Sequence, residues 1–275
     1  GGPPGQRGQF DQRGGRAFRL FIAAGIELSQ SRGRTRSADN AELRLTGPEA
    51  GHARRVLRVR RGERVVVLDG AGGEFLCEVG DARRDEVRLA VVERRRHPEP
   101  ASRITLLQAV PKGRIMEAII QKATELGVAR IVPLLTERVV TRLEAEEEAT
   151  HKADKWQAAA REAIKQCGAP WLPQVEQPLT PWEFLARKES FELPLIASLA
   201  GGSRPAREYF NTFQATHHRR PQSLCVWIGP EGDFTAAETE AIQSGGALPI
   251  TLGPLVLRVE TAAIYCLAIL NYEML

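Results

Sequence analysis

The sequence predicts an α/β protein: a small β-barrel domain followed by a larger domain with a mainly parallel sheet. Three observations carry this. Between Arg19 and Val92, short β-rich runs are separated by glycine-bearing turns. Beyond Ser102, apolar runs of strand length alternate with stretches of helical period. Between the two regions, His97-Pro98-Glu99-Pro100 forms a stiff connector, because two prolines continue neither a helix nor a central strand. The partition that follows is a tail over residues 1–16, a first domain over 17–97 and a second over 98–275.

The tail is rich in Gly, Arg and Gln and reads as disordered. In the first domain, residues 47–59 predict a helix. Thr46 is placed to cap it, Pro48 sits in its first turn, Val56 and Leu57 face the core, and Arg54, Arg55 and Arg58 face solvent. Residues 64–68 and 74–79 read as strands around the turn Asp69-Gly70-Ala71-Gly72-Gly73, and 86–92 as a further strand. In the second domain, strands are expected over 104–110, 131–135, 193–199, 224–228 and 248–252. Helices are expected over 114–126, ended by Gly127, and over 149–166, 235–244 and 260–270. The acidic run 144–148 reads as a solvated surface. Such alternation implies helices on both faces of the sheet and ligands at the carboxyl ends of its strands.

Composition narrows the function classes. The chain has 275 residues, 43% hydrophobic and 26% charged, the balance of a folded domain with a core. No apolar run approaches the roughly 20 residues of a membrane helix, and the amino end lacks the apolar stretch of a secretory signal; a cytoplasmic protein is expected. The four cysteines form no Cys-x-x-Cys and the five histidines no His-Glu-x-x-His, so neither a metal site nor a disulfide framework is expected. The net charge of +4 is unevenly spread. Residues 1–98 hold 20 Arg, no Lys and 13 acids, a balance of +7, and the remainder carries −3. Planar guanidinium groups suit phosphate and base contacts, although an Arg-biased solvated surface has the same composition.

Two strand exits carry glycine. Ile228-Gly229-Pro230-Glu231-Gly232-Asp233-Phe234-Thr235 leads from a strand into a helix, with Thr235 and Glu238 spaced as a capping box. Leu252-Gly253-Pro254-Leu255-Val256-Leu257-Arg258-Val259-Glu260-Thr261 does the same. A plain strand-turn-helix junction uses similar residues. Neither loop is a Gly-x-Gly-x-x-Gly or a Walker loop, which disfavours a Rossmann dinucleotide site or a nucleoside triphosphatase.

These loops belong to a longer series of motifs: His52-x-x-Arg55-Val56-Leu57-Arg58, Asp69-Gly70, Lys112 with Met116-Glu117, and Gln121-Lys122-Ala123-Thr124-Glu125-Leu126-Gly127-Val128. It continues through Pro133, Glu137-Arg138, Gln166-Cys167-Gly168, Gly229-Pro230-Glu231-Gly232, and Leu252-Gly253-Pro254 with Leu257-Arg258 and Glu260-Thr261-Ala262. In this order the chain resembles the ribosomal small-subunit methyltransferase E (RsmE) family of the SPOUT class. The resemblance implies a PUA-like first domain, a second domain with a carboxyl-terminal trefoil knot that binds S-adenosylmethionine, and a homodimer. The implied activity is methylation of uridine N3 in small-subunit (16S) rRNA, with an assembled or near-assembled 30S particle as partner. The implied cofactor residues are Leu199, Ile228, Gly229, Pro230, Gly232, Leu252, Gly253 and Leu257. Arg55, Arg58, Lys112 and Arg138 are the RNA-binding candidates, and Arg258, Glu260 and Glu231 the catalytic ones, since no His lies near the loops.

The chain departs from the family pattern at Arg114-Ile115, Lys165, Ala169-Pro170-Trp171 and Leu255. Leu255 stands where the family usually has Arg and cannot replace a bidentate phosphate partner. Arg114 and Lys165 offer positive charge at neighbouring positions. Two other readings stay open at the level of sequence: an RNA-binding protein that keeps the fold without catalysis, and a SPOUT methyltransferase acting on tRNA, because phosphate contacts carry no sequence information.

Overall fold

The computed structural model describes residues 18–22, 29–30, 41–83, 86–139, 146–198 and 202–275. The expected tail and Leu199 lie outside the described residues. The chain divides into two compact units, Gly1–Glu99 and Pro100–Leu275.

The first unit holds β1 (Phe18–Phe21), β2 (Ser29–Gln30), β3 (Ala41–Thr46), α1 (Gly47–Arg55), β4 (Arg64–Leu68), β5 (Gly73–Ala82) and β6 (Glu86–Arg96). Its six strands run in the order β1-β4-β5-β6-β3-β2, parallel only between β1 and β4. Alternation along β5 turns Phe75, Cys77 and Val79 inward, where Leu43, Leu45, Val65, Val67, Val87 and Leu89 meet them. Ala50 and Ala53 seat α1 on this core. The Asp69 Oδ1 atom closes the β4–β5 turn by accepting the N–H groups of Ala71 at 2.8 Å and Gly73 at 2.7 Å.

The helix is shorter than its sequence pattern predicts. The N–H groups of Val56 and Leu57 both reach the His52 carbonyl, Val59 N–H reaches Ala53, and Arg58 takes a left-handed φ of 54°. This closing turn ends α1 at Arg55 and leaves Val56 65% exposed rather than in the core. Arg58 therefore follows the helix instead of sharing its solvent face with Arg54 and Arg55. Thr46 occupies the N-cap position without a side-chain cap bond.

The second unit holds β7 (Arg103–Ala109), α2 (Ile115–Glu125), β8 (Arg130–Leu134), α3 (Glu146–Cys167), β9 (Gln174–Val175), α4 (Pro181–Ala186) and β10 (Leu193–Ala197). It continues through α5 (Ala206–His217), β11 (Ser223–Ile228), α6 (Ala236–Ser244), β12 (Leu248–Ile250) and α7 (Val259–Met274). The sheet order is β12-β10-β11-β7-β8-β9, parallel at every pairing. Because strand side chains alternate, Leu224, Val226 and Ile228 join one core with α2, α3, α5 and α7, while Cys225 and Trp227 join another with Phe184 of α4 and Ile242 of α6. Both faces are covered, as the alternating pattern requires.

Strand ends differ modestly from expectation. β10 stops at Ala197 and β12 at Ile250, where Thr251 N–H turns to the Arg204 carbonyl. Ile250 is thereby flanked on both sides: Ala197 of β10 pairs with it, and Arg204, from the segment that follows β10, forms a parallel bridge to it. Burial pushes the thiols of Cys77, Cys225 and Cys266 up to about 12, the behaviour of packed apolar cysteines. No helix among the described residues is long and apolar enough to cross a membrane.

Candidate active site

All six strands of the second sheet point the same way, so the loops after β10, β11 and β12 leave at one edge. There they enclose a cleft of ≈ 70 Å³, open to solvent on one side. Ala197 and Ser198 form one wall. Ile228, Gly229, Pro230, Glu231 and Asp233 form the second. Leu252, Gly253, Leu257 and the exposed Leu255 and Val256 form the third, and Val259 and Ala262 of α7 close the floor.

Two glycines shape this cleft. A Cβ on Gly229 would lie 2.8 Å from Asp233 Oδ1 and 3.2 Å from both the ring and the nitrogen of Phe234, so the loop closes on itself only without a side chain there. Gly253 has φ of 109°, a backbone that L-residues rarely adopt, and a Cβ there would meet nothing within 4 Å. Open space against bare backbone is the setting in which main-chain groups approach a ligand. Thr251 Oγ1 braces this second loop by accepting the Gly253 N–H at 3.1 Å.

The loop after β11 is tied down from three directions. Asp233 N–H reaches the Pro230 carbonyl at 2.9 Å, Glu231 Oε1 accepts the Lys112 N–H at 3.3 Å, and the Arg138 guanidinium donates to the Gly232 carbonyl. The expected capping box is present: Thr235 accepts from Glu238 N–H, and Glu238 accepts from Thr235 N–H. Glu238 also accepts the Glu137 N–H, so the loop after β8 is pinned beside the loop after β11.

Of the expected cofactor residues, Ile228, Gly229, Pro230, Leu252, Gly253 and Leu257 line the cleft. Gly232 does not; a Cβ there would lie 3.4 Å from Arg138 Cδ. Leu199 falls outside the described residues. Glu231 lines the cleft, whereas Arg258, exposed at the N-cap of α7, and Glu260 in its first turn stand beside it. Among the described residues no ion pair joins Arg258 to Glu260. Lys112 and Arg138 converge on the loop after β11, and Arg55 and Arg58 are exposed on the first unit. The Lys165 side chain is only 6% exposed and bonds Glu162 Oε1 at 2.6 Å, so it adds no charge to an RNA-facing surface; Arg114 is exposed. Sequence reasoning missed the floor formed by Val259 and Ala262, for which apolar composition gives no signal distinct from core.

Comparison with known proteins places this cleft in context. An RNA methyltransferase domain model matches residues 97–271, and an RNA methyltransferase PUA domain model matches residues 45–92. A ribosomal RNA small subunit methyltransferase E of Synechocystis sp. is 32% identical over 234 residues, 84% of this chain and 73% of that protein. The chain belongs to this RNA methyltransferase family. A Legionella pneumophila protein of the same fold, solved with the bound cofactor SAM, is 30% identical with a TM-score of 0.79, covering 94% of this chain and 98% of that one. The fold is also that of a ribosomal RNA small subunit methyltransferase E from Neisseria gonorrhoeae bound to S-adenosyl methionine, at 23% identity and a TM-score of 0.77, with 94% and 98% of the two chains covered. Membership makes the first unit a PUA-like domain and the second the α/β methyltransferase domain.

Proposed function

We propose that this protein is an S-adenosylmethionine-dependent methyltransferase acting on N3 of a uridine in small-subunit (16S) rRNA. The observation that carries the reading is the cleft at the carboxyl edge of the parallel sheet, with bare backbone at Gly229 and Gly253 and apolar walls from Ile228, Leu252 and Leu257. Its residues fit the cofactor, whose adenosyl body suits such a wall and whose amide-like edges suit main-chain groups. The methyltransferase E relative and the SAM-bound neighbour support the same conclusion.

S-adenosylmethionine, when bound, supplies an electrophilic methyl group on a sulfonium. The three loops hold the donor and shield it from water, and alignment of this kind contributes several kcal/mol to a displacement. Arg258, at the start of α7, steadies the uracil oxygen that gains charge as N3 loses its proton. Glu231 or Glu260 accepts that proton, an assistance worth on the order of a hundredfold. Lys112 and Arg138, beside the loop after β11, and Arg55 and Arg58 of the PUA-like domain contact RNA phosphates.

Finer features follow from the same reading. The match to a PUA domain supports a small barrel for the first unit. The placement of Ile250 between Ala197 and Arg204 supports a trefoil knot. Leu255, Val256, Tyr265 and Tyr272, between 48% and 76% exposed, support a homodimer formed across α7 and the loop before it. The substrate is an assembled or near-assembled 30S particle in the cytoplasm. Incubating the protein with methyl-labelled cofactor and small subunits lacking their modification, followed by nucleoside analysis, tests the reading. Labelled N3-methyluridine is expected. Cofactor binding without transfer would identify a non-catalytic RNA-binding protein, and label confined to tRNA would redirect the substrate.

A further inference from the structure

Asp233 adopts φ of 63°, a left-handed backbone that glycine would occupy without strain. Glycine already stands at 229 and 232 in the same loop, so an acid at 233 calls for a reason in its side chain. Its Oδ1 accepts the N–H of Phe234 at 2.8 Å and packs over Gly229, which fixes the carboxylate at the cleft wall. The second oxygen, Oδ2, meets no donor among the described residues. Asp233 also lines a shallower groove that runs along α6 past Thr239 and Gln243, so it stands at the seam of the two.

Charge in the cleft is one-sided. Its described lining holds two carboxylates, Glu231 and Asp233, and no basic side chain. Each accepts one backbone N–H, Glu231 from Lys112 at 3.3 Å and Asp233 from Phe234 at 2.8 Å, and of the two only Asp233 is held in a left-handed backbone. A neutral adenosyl ligand gains nothing from such a wall, whereas a ligand with an extra positive charge does. S-adenosylmethionine and its demethylated product, S-adenosylhomocysteine, differ by the methyl group and by one positive charge on sulfur.

We infer that Asp233 makes the cleft selective for the cationic, methyl-bearing cofactor over the neutral product, and so promotes exchange of one for the other after each turnover. The inference rests on the reading of this cleft as the cofactor site. The acid at 233 thus acts on binding selectivity and is distinct from the groups assigned to proton transfer.

The test is calorimetric titration of the full-length protein with S-adenosylmethionine, S-adenosylhomocysteine and sinefungin, a cationic analogue that cannot donate a methyl group. Wild type is expected to bind the two cations more tightly than the neutral product, with the preference shrinking as salt is raised. Asp233→Asn, which keeps shape and tolerates the left-handed backbone, should weaken both cations about five- to tenfold and the product less than twofold, the scale of a half-exposed charge pair. Asp233→Gly, which relieves the backbone while removing the carboxylate, should do the same and guards against a folding artefact. Equal losses for all three ligands would overturn the inference in favour of a hydrogen bond to atoms they share. Unchanged affinities would overturn it in favour of a turn residue. A wild-type protein that binds none of the three would overturn the cofactor reading itself, a result separable from binding without selectivity.

Discussion

The carboxylate of Glu238, 1% exposed, accepts the backbone N–H of Glu137, 101 residues earlier in the chain, at 2.9 Å from Oε1, while its Oε2 accepts the N–H of Thr235 at the same distance. One buried side chain thus satisfies two backbone donors and holds two cleft-side loops together. Glu238→Ala should destabilise the protein by about 2–4 kcal/mol, since each buried donor left alone costs about 1–3 kcal/mol. Glu238→Gln, which keeps one acceptor, should cost less. Urea denaturation measures both, and equal stability of all three proteins would contradict the bridging role.

The loop after β11 closes only over a bare Gly229. Gly229→Ala should therefore lower cofactor affinity at least tenfold, an effect of about 1.4 kcal/mol or more. Gly232→Ala, whose added carbon would meet only the flexible Arg138 side chain, at 3.4 Å from Cδ and 3.6 Å from Nη1, should cost less than threefold. Calorimetry on both variants decides whether the cleft is built as described; a reversed ranking would move the ligand toward residue 232.

Arg258 tests the catalytic assignment. Arg258→Ala should reduce the single-turnover methylation rate about a hundredfold at saturating cofactor and leave cofactor affinity within a factor of about three, because the interaction strengthens as charge develops on the uracil. Rates equal to wild type in a folded protein would return Arg258 to a solvated helix cap.

RNA binding carries its own signature. Replacing Arg55 and Arg58 with Ala should weaken binding to small-subunit rRNA at low salt and flatten the log–log salt dependence by roughly one unit for each phosphate no longer neutralised. Because Arg58 sits in a left-handed turn beyond α1, Arg58→Gly is the gentler control. An unaltered salt slope would show both guanidinium groups to be solvated.

A surface clamp gives a pH dependence with a definite sign. Glu192 takes a two-point bond from Arg219, at 2.6 and 2.9 Å, and the Gln222 N–H at 2.6 Å, which hold its carboxyl down at about 2. A carboxyl depressed in the folded state adds stability above its ordinary titration range and loses it as pH falls through the folded value. Solvent reaches 30% of the side chain, so the contribution is a modest one. The difference in melting temperature between wild type and Glu192→Gln should be constant near neutrality and shrink between about pH 4.5 and pH 2. A pH-independent difference would exclude the ion pair.

Much of this was legible in residue order. The alternation of strand and helix after Ser102 and the capping box at Thr235 and Glu238 could be read from apolar period and residue spacing, because these depend on neighbours a few positions away, and six of the cleft residues came from the glycine-bearing strand exits together with the family resemblance. The end of α1 could not, since it is set by carbonyls of His52 and Ala53 capturing N–H groups beyond Arg55. Nor could the burial of Lys165 or the contact of Glu238 with Glu137, both products of tertiary packing. Short elements such as β9 and α4 escaped because two and six residues are too few to show a period.

The strand order of the second sheet has a bearing on how the protein comes into being. β7 pairs on one side with β8, Leu106 facing Ile131, and on the other with β11, where the same Leu106 faces Val226. Its second neighbour is therefore synthesised only after β8, α3, β10 and α5 have been made, and the last wall of the cleft follows later still. The strands of the first sheet, by contrast, are all complete by Arg96 and can pair while the rest of the chain is still being translated. Long-separation pairing of this kind makes folding slow. It also makes the cleft a late product of synthesis: a chain cut short before Leu252 carries every strand of the first sheet and lacks the third wall of the cleft.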